Sequence, residues 1–130
     1  MKTAAQLVQE AKQRVQSLTA AEVAAELERG QVVLVDLREP GEQEQTGVIP
    51  GAVSAPRGML EFWADPTSPY HRQEFDPSRR MILHCASGGR SALAADLLQQ
   101  MGYTDVAHLD GGIKAWTAAG LPVQVRGGQP

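Results

Sequence analysis

The 130 residues include a single cysteine, Cys85, and that scarcity excludes a good deal. One thiol cannot close an intramolecular disulfide, form a CxxC redox pair or supply a multi-thiolate zinc site. It persists most readily where the surroundings are reducing, so a cytoplasmic location is expected. Positive charge is also short: Lys plus Arg number 12 against 15 Asp plus Glu, a net charge of −3. Nucleic acid is therefore not an expected partner, because phosphate binding relies on a basic surface. No apolar stretch approaches the roughly 18 residues of a membrane span. Met1 to Leu7 runs directly into Gln9-Glu10-Ala11-Lys12 without the apolar core of a secretory leader, so no membrane partner is expected either. The three histidines, His71, His84 and His108, lack metal-ligand spacing, and neither a metal nor a cofactor is expected.

What remains is enough apolar sequence, 42% of residues, to build one core without staples. Ala4, Leu7, Val8, Ala11, Val15 and Leu18 fall at helical spacing. This predicts an amphipathic N-terminal helix, assigned to residues 1–17, whose stripe covers the sheet in a monomer or weak dimer. Thr19-Ala20-Ala21-Glu22 is a capping box that opens a second helix, and Gly30 closes it. Val32-Val33-Leu34-Val35 and Met81-Ile82-Leu83-His84 are unbroken apolar runs, suited to strands buried on both faces. Between them, residues 36–51 read as an irregular connection, 52–55 as a short strand, 57–64 as a short helix and 65–77 as a surface excursion with three prolines. Helical periodicity returns from Arg90 to Met101, Val106 to Leu109 is a further strand, and a short helix spans Gly112 to Ala119. Strands alternating with helices predict an α/β fold with a central, mainly parallel sheet flanked by helices on both faces. The domain is assigned to residues 18–125, with a flexible Gly-rich tail at 126–130.

The chemistry concentrates where the second long strand ends. Cys85-Ala86-Ser87-Gly88-Gly89-Arg90-Ser91 places a thiol at the carboxyl end of a buried strand, followed by small residues and a helix start. Residues of so little bulk let backbone N–H groups turn inward as an anion-binding nest. The helix end and Arg90 add positive potential, and all three favour the thiolate over the thiol. A merely structural cysteine, which behaves as a small hydrophobe, needs no such loop.

These residues resemble the C-x-x-G-x-R active-site loop of the rhodanese-like sulfurtransferases. Three further segments resemble the same family in the same order: Val35-Asp36-Leu37-Arg38-Glu39, Gly47-Val48-Ile49-Pro50-Gly51-Ala52, and Leu109-Asp110-Gly111-Gly112 with Ala115-Trp116. Val48 departs from the family pattern, which commonly has His there. The resemblance spans roughly residues 18 to 123 and implies a rhodanese-like fold, preceded here by an extra helix. It implies that Cys85 is the catalytic residue, taking a sulfane sulfur from a small donor such as thiosulfate or a persulfide. The resulting Cys85 persulfide would pass its sulfur to a thiol or cyanide, or to a protein acceptor as a dedicated carrier. Ala86, Ser87, Gly88, Gly89, Arg90 and Ser91 would bind the donor and the outer sulfur, with Asp36 and Arg38 supporting the loop. Tyrosine phosphatases and arsenate reductases use C-x5-R instead. Cys85 to Arg90 is C-x4-R, and the smaller ring suits one sulfur atom better than an oxyanion.

Other candidates have plainer readings beside these. Asp36 and Arg38 could equally be a solvated pair at a strand end. His84 directly precedes Cys85 on a strand, so its side chain points away from the thiol and it reads as a packed histidine. Phe62 and Trp63 are candidates for the active-site mouth or for core anchors, and Trp116 for packing.

Overall fold

In the computed structural model, residues 1–127 are described, so the last three residues of the expected tail lie outside the described residues. The elements in chain order are α1 (Ala4–Arg14), β1 (Gln16–Leu18), α2 (Ala20–Arg29), β2 (Val32–Asp36), α3 (Pro40–Thr46), β3 (Val53–Ser54), a single 3₁₀ turn (Arg57–Met59), α4 (Leu60–Ala64), β4 (Arg80–His84), α5 (Gly89–Gln100), β5 (Val106–Leu109) and α6 (Gly112–Ala118). The five strands pair in parallel, in the order β1-β5-β4-β2-β3. None of the described helices is long and apolar enough to cross a membrane.

Alternation along the strands divides the core in two, one layer on each face of the sheet. Val33, Val35, Met81, Leu83 and Val106 face one way, where they pack with Leu60, Ala94, Ala95 and Leu98 from α4 and α5. Leu34, Ile82, Ala107 and Leu109 face the other way, toward Val23 of α2 and Ile113 and Trp116 of α6. Helices on both faces of a parallel sheet match the predicted architecture, and the strands at 32–36, 80–84 and 106–109 lie where the apolar runs put them. Thr19 caps α2 through the expected box: the Glu22 amide donates to its hydroxyl at 3.1 Å, and its own amide donates to the Glu22 carboxylate at 2.8 Å.

Three expectations need correction. The helical spacing from Ala4 to Leu18 overruns the real helix, which stops at Arg14. Val15 turns extended, and Gln16–Leu18 adds β1 to the open edge of β5 in the register Gln16↔Ala107, Ser17↔His108, Leu18↔Leu109. Backbone pairing along an unfilled sheet edge outweighs one more helical turn. The expected boundary between residues 17 and 18 thus falls inside a strand. Secondly, α1 docks on α5 rather than on the sheet itself, fastened by Arg14, which donates to both oxygens of Asp96 at 3.0 and 2.7 Å. Thirdly, the connection after β2 contains α3, with Pro40 at its first turn. Arg126, at the head of the expected tail, donates to the Gln43 side chain of α3 at 3.0 Å.

Candidate active site

Parallel pairing brings the ends of β2 and β4 side by side, with Asp36 opposite His84. Both lines of chemistry anticipated in the sequence therefore meet at one sheet edge. Cys85 follows β4 directly and is only 1% exposed. The chain then turns through Gly88, whose φ of +108° is a conformation that suits glycine, and enters α5. This turn folds the backbone around the sulfur. The Gly88 amide donates to Sγ at 3.2 Å and the Ser91 amide at 3.4 Å, while the thiol lies 3.6 Å from the Ser91 hydroxyl. Burial pushes the Cys85 thiol up. The Ser91 hydroxyl and the amides of Ser91, Gly88 and Ser87 outweigh it, so the thiol sits below its ordinary value. The loop is clamped from outside by α6, whose Ile113 amide donates to the Cys85 carbonyl at 2.9 Å and Lys114 amide to the Ala86 carbonyl at 3.2 Å.

A sequence model of the rhodanese-like domain matches residues 19–119. The chain belongs to the rhodanese-like family. A sulfurtransferase of Allochromatium vinosum is 39% identical over 92 residues, which is 71% of this chain and 78% of that protein. The thiosulfate sulfurtransferase GlpE of Pseudoalteromonas translucida is 33% identical over 93 residues, 72% of this chain and 80% of its own. A solved structure from Rhodopseudomonas palustris, described as a protein of unknown function and possible tyrosine phosphatase, superposes with a TM-score of 0.91 at 43% identity, covering 95% of this chain and 96% of that one. At the level of class, the chain is a rhodanese-family sulfurtransferase.

The other anticipated residues of this rhodanese-like domain divide by role. Asp36 and Arg38 are not a solvated pair: each is 1% exposed. Arg38 donates to both Asp36 oxygens, at 3.1 and 2.9 Å, to the Thr46 hydroxyl at 2.7 Å and to the Gly47 carbonyl at 2.7 Å. A guanidinium so enclosed fixes α3 to the end of β2. From α3, Glu42 accepts two hydrogen bonds from Arg90, both at 2.8 Å. The Arg90 charge thus lies near Cys85 but is engaged by a carboxylate, which tempers the positive potential the sequence assigned to it. Arg90 holds the Glu42 carboxyl at about 2, far below its ordinary value. Ala86 faces α6 through its carbonyl, Ser87 is exposed, and Gly89 opens α5. His84 is fully buried with Nδ1 3.2 Å from the Cys85 carbonyl, and burial lowers its pKa. Phe62 is exposed and stacks edge-on with Tyr70, whereas Trp63 packs on the core beneath Arg72.

Sequence reasoning missed Glu42 and His108. Glu42 was legible only as a helix-start acid three residues after Glu39, because α3 carries no apolar stripe. His108 is buried, bonded through Nδ1 to the Ser91 hydroxyl and through Nε2 to Ser17, both at 2.9 Å. Its position follows from β5 lying next to β4, a pairing that spacing alone does not give.

Proposed function

We propose that Cys85 accepts the sulfane sulfur of thiosulfate as a persulfide and delivers it to a thiol or to cyanide, in a reducing compartment such as the cytoplasm. The thiolate attacks the outer sulfur of the donor, the sulfur–sulfur bond breaks and sulfite leaves with the bonding pair. The acceptor thiolate or cyanide then attacks the outer sulfur of the persulfide and regenerates the Cys85 thiolate. The convergence of the Gly88 and Ser91 amides and the Ser91 hydroxyl on one sulfur position carries this reading. The same donors that favour the thiolate would favour the negative sulfur of the persulfide. Likeness to a thiosulfate sulfurtransferase supports the choice of donor.

Phosphatase chemistry, which the Rhodopseudomonas palustris description raises, fits less well. The loop is one residue shorter than C-x5-R, and its arginine is turned to Glu42 rather than toward the thiol pocket. The deciding experiment joins a thiosulfate-to-cyanide assay to intact mass after thiosulfate treatment. Turnover with a gain of about 32 Da on Cys85, one sulfur atom, is expected. Persulfide without turnover would make the protein a carrier for a dedicated acceptor. Neither turnover nor added mass would sink thiosulfate as the donor.

A further inference from the structure

From the Cys85 sulfur a line of polar groups runs through α5 and β5 to the edge strand β1. The thiol is 3.6 Å from the Ser91 hydroxyl, which is 2.9 Å from His108 Nδ1. His108 Nε2 is in turn 2.9 Å from the Ser17 hydroxyl on the edge strand β1. Ser91 and His108 are fully buried, whereas Ser17 is exposed. The line therefore connects an enclosed sulfur to solvent at the sheet edge.

The partners of His108 are unusual in kind. A structural histidine is commonly fixed in one tautomer by a carbonyl or carboxylate at one ring nitrogen. His84 shows that pattern, with Nδ1 on the Cys85 carbonyl. His108 has a hydroxyl at each nitrogen, and a hydroxyl donates or accepts with equal ease. Both neutral tautomers are then fully bonded, and reversing every bond along the line leaves no group unpaired. We propose that Ser91, His108 and Ser17 form a proton relay that carries the Cys85 thiol proton to solvent at the sheet edge, with His108 switching from one neutral tautomer to the other as the thiolate forms. The proposal rests on Cys85 working as a thiolate, the reading given above.

The step balances. In the thiol state S–H donates to Ser91 Oγ, the Ser91 O–H to Nδ1 at 2.9 Å in preference to the Gly88 carbonyl at 3.3 Å, Nε2–H to Ser17 Oγ, and the Ser17 O–H to water. A solvent base, hydroxide or a buffer anion, removes the Ser17 proton. The Nε2 proton moves to Ser17, the Ser91 proton to Nδ1 and the thiol proton to Ser91. One proton leaves and no electrons are exchanged. The relay comes to rest with the Ser91 hydroxyl aimed at the new thiolate, which is the donation that helps to hold the Cys85 thiol down. His108 must stay neutral throughout, and its surroundings keep it so. Burial lowers its pKa, Asp110 beyond β5 raises it, and Lys12 of α1, 3.4 Å from Asp110, lowers it again. On α5 the nearby charges are engaged elsewhere, Arg90 with Glu42 and Asp96 with Arg14. Ser91 touches the reacting sulfur, whereas His108 and Ser17 act through it as positioning residues.

The test is a pH titration of protein labelled with ¹⁵N in histidine, following the His108 ring nitrogens. The Cys85 alkylation rate is measured over the same range, carried as far as its inflection lies. The expected result is an Nε2–H ring below the inflection and an Nδ1–H ring above it, with coincident midpoints. In Ser91→Ala the ring should keep one tautomer throughout. If Ser91→Ala does not fold, the exposed Ser17→Ala serves: the midpoints stay in place, because Ser17 bonds both ring forms alike. Exchange between the two forms slows severalfold, read from the His108 ring line widths at the midpoint, and Ser17→Thr should restore the rate. A His108 ring unchanged across the wild-type inflection would overturn the relay, as would a switch that persists in Ser91→Ala or an exchange rate unchanged in Ser17→Ala. Thiosulfate turnover is read in parallel. A coupled switch with neither turnover nor added mass on Cys85 supports the relay while sinking the donor assignment, and turnover without a switch does the reverse.

Discussion

Two glycines bracket α6, and replacing each by alanine separates backbone strain from crowding at the active loop. Gly112 has φ +61° and Gly120 φ +76°, so a side chain at either position costs about 1–2 kcal/mol of left-handed strain. Around Gly120 a new methyl meets nothing within 4 Å. At Gly112 it would press into the Ala86 carbonyl group and come within 2.6 Å of the Cys85 carbonyl oxygen. Those are backbone atoms of the loop that surrounds Cys85 Sγ and cannot swing aside. Relief requires α6 to back away, which loosens the hydrogen bonds from Ile113 and Lys114 to that loop. Overpacking of this kind adds about 1–3 kcal/mol, so Gly112→Ala should cost roughly 2–5 kcal/mol against about 1–2 for Gly120→Ala. Urea unfolding of both variants measures the difference. In the same samples, the pH inflection for Cys85 alkylation should move up toward that of an ordinary thiol in Gly112→Ala and stay put in Gly120→Ala. Equal losses of stability, with unchanged thiol acidity in both, would refute the idea that α6 holds the loop in shape.

Other outcomes follow from single side chains. Cys85→Ser should abolish sulfur transfer while leaving the circular dichroism spectrum and unfolding midpoint near wild type, since an alcohol forms no persulfide; retained turnover would move the chemistry elsewhere. Glu42→Gln releases Arg90 as a free cation beside the thiol, so the apparent KM for dianionic thiosulfate should fall about threefold at low salt, with the gain fading as salt is raised. A KM that is unchanged or higher at every ionic strength would show that Arg90 serves only as a brace. The folded-state pKa of Glu42 is lowered to about 2, so its contribution to stability is present above the ordinary value of 4.5 and is lost as pH falls through that window. Because the pair is about a third exposed, the amount should stay below about 1 kcal/mol. It is read as a steeper fall in urea midpoint from pH 6 to pH 3 for wild type than for Glu42→Gln, and parallel curves would contradict it.

The sequence disclosed whatever depends on local pattern. Val32–Val35 and Met81–His84 are too apolar to sit anywhere but the middle of a sheet, and small residues after Cys85 leave a backbone nest as the natural outcome. It concealed what depends on neighbours distant in the chain. Gln16–Leu18 is too short to show alternation and continues a helical stripe, so only the vacant edge of β5 makes it a strand. Helix α3 buries Gln43 rather than an apolar face, and a search for hydrophobic periodicity passes over it. The burial of Asp36 and Arg38 follows from α3 folding back across them, and Arg90 is neutralised by a carboxylate 48 positions earlier in the chain. Charge near a site can be counted from sequence, but whether that charge is already spent depends on tertiary contacts.

The edge strand has a practical consequence for anyone who trims the protein. The family match begins at residue 19, one residue past β1. A fragment cut at that boundary would keep all four family-like segments and still lose one of the five strands. The backbone of β5 would face solvent as an open row of donors and acceptors, a template for pairing with another copy. Such a fragment should associate in solution through that margin. Its sluggishness or insolubility would then reflect a missing strand rather than a defective loop, and restoring Gln16–Leu18 would be the remedy to try first.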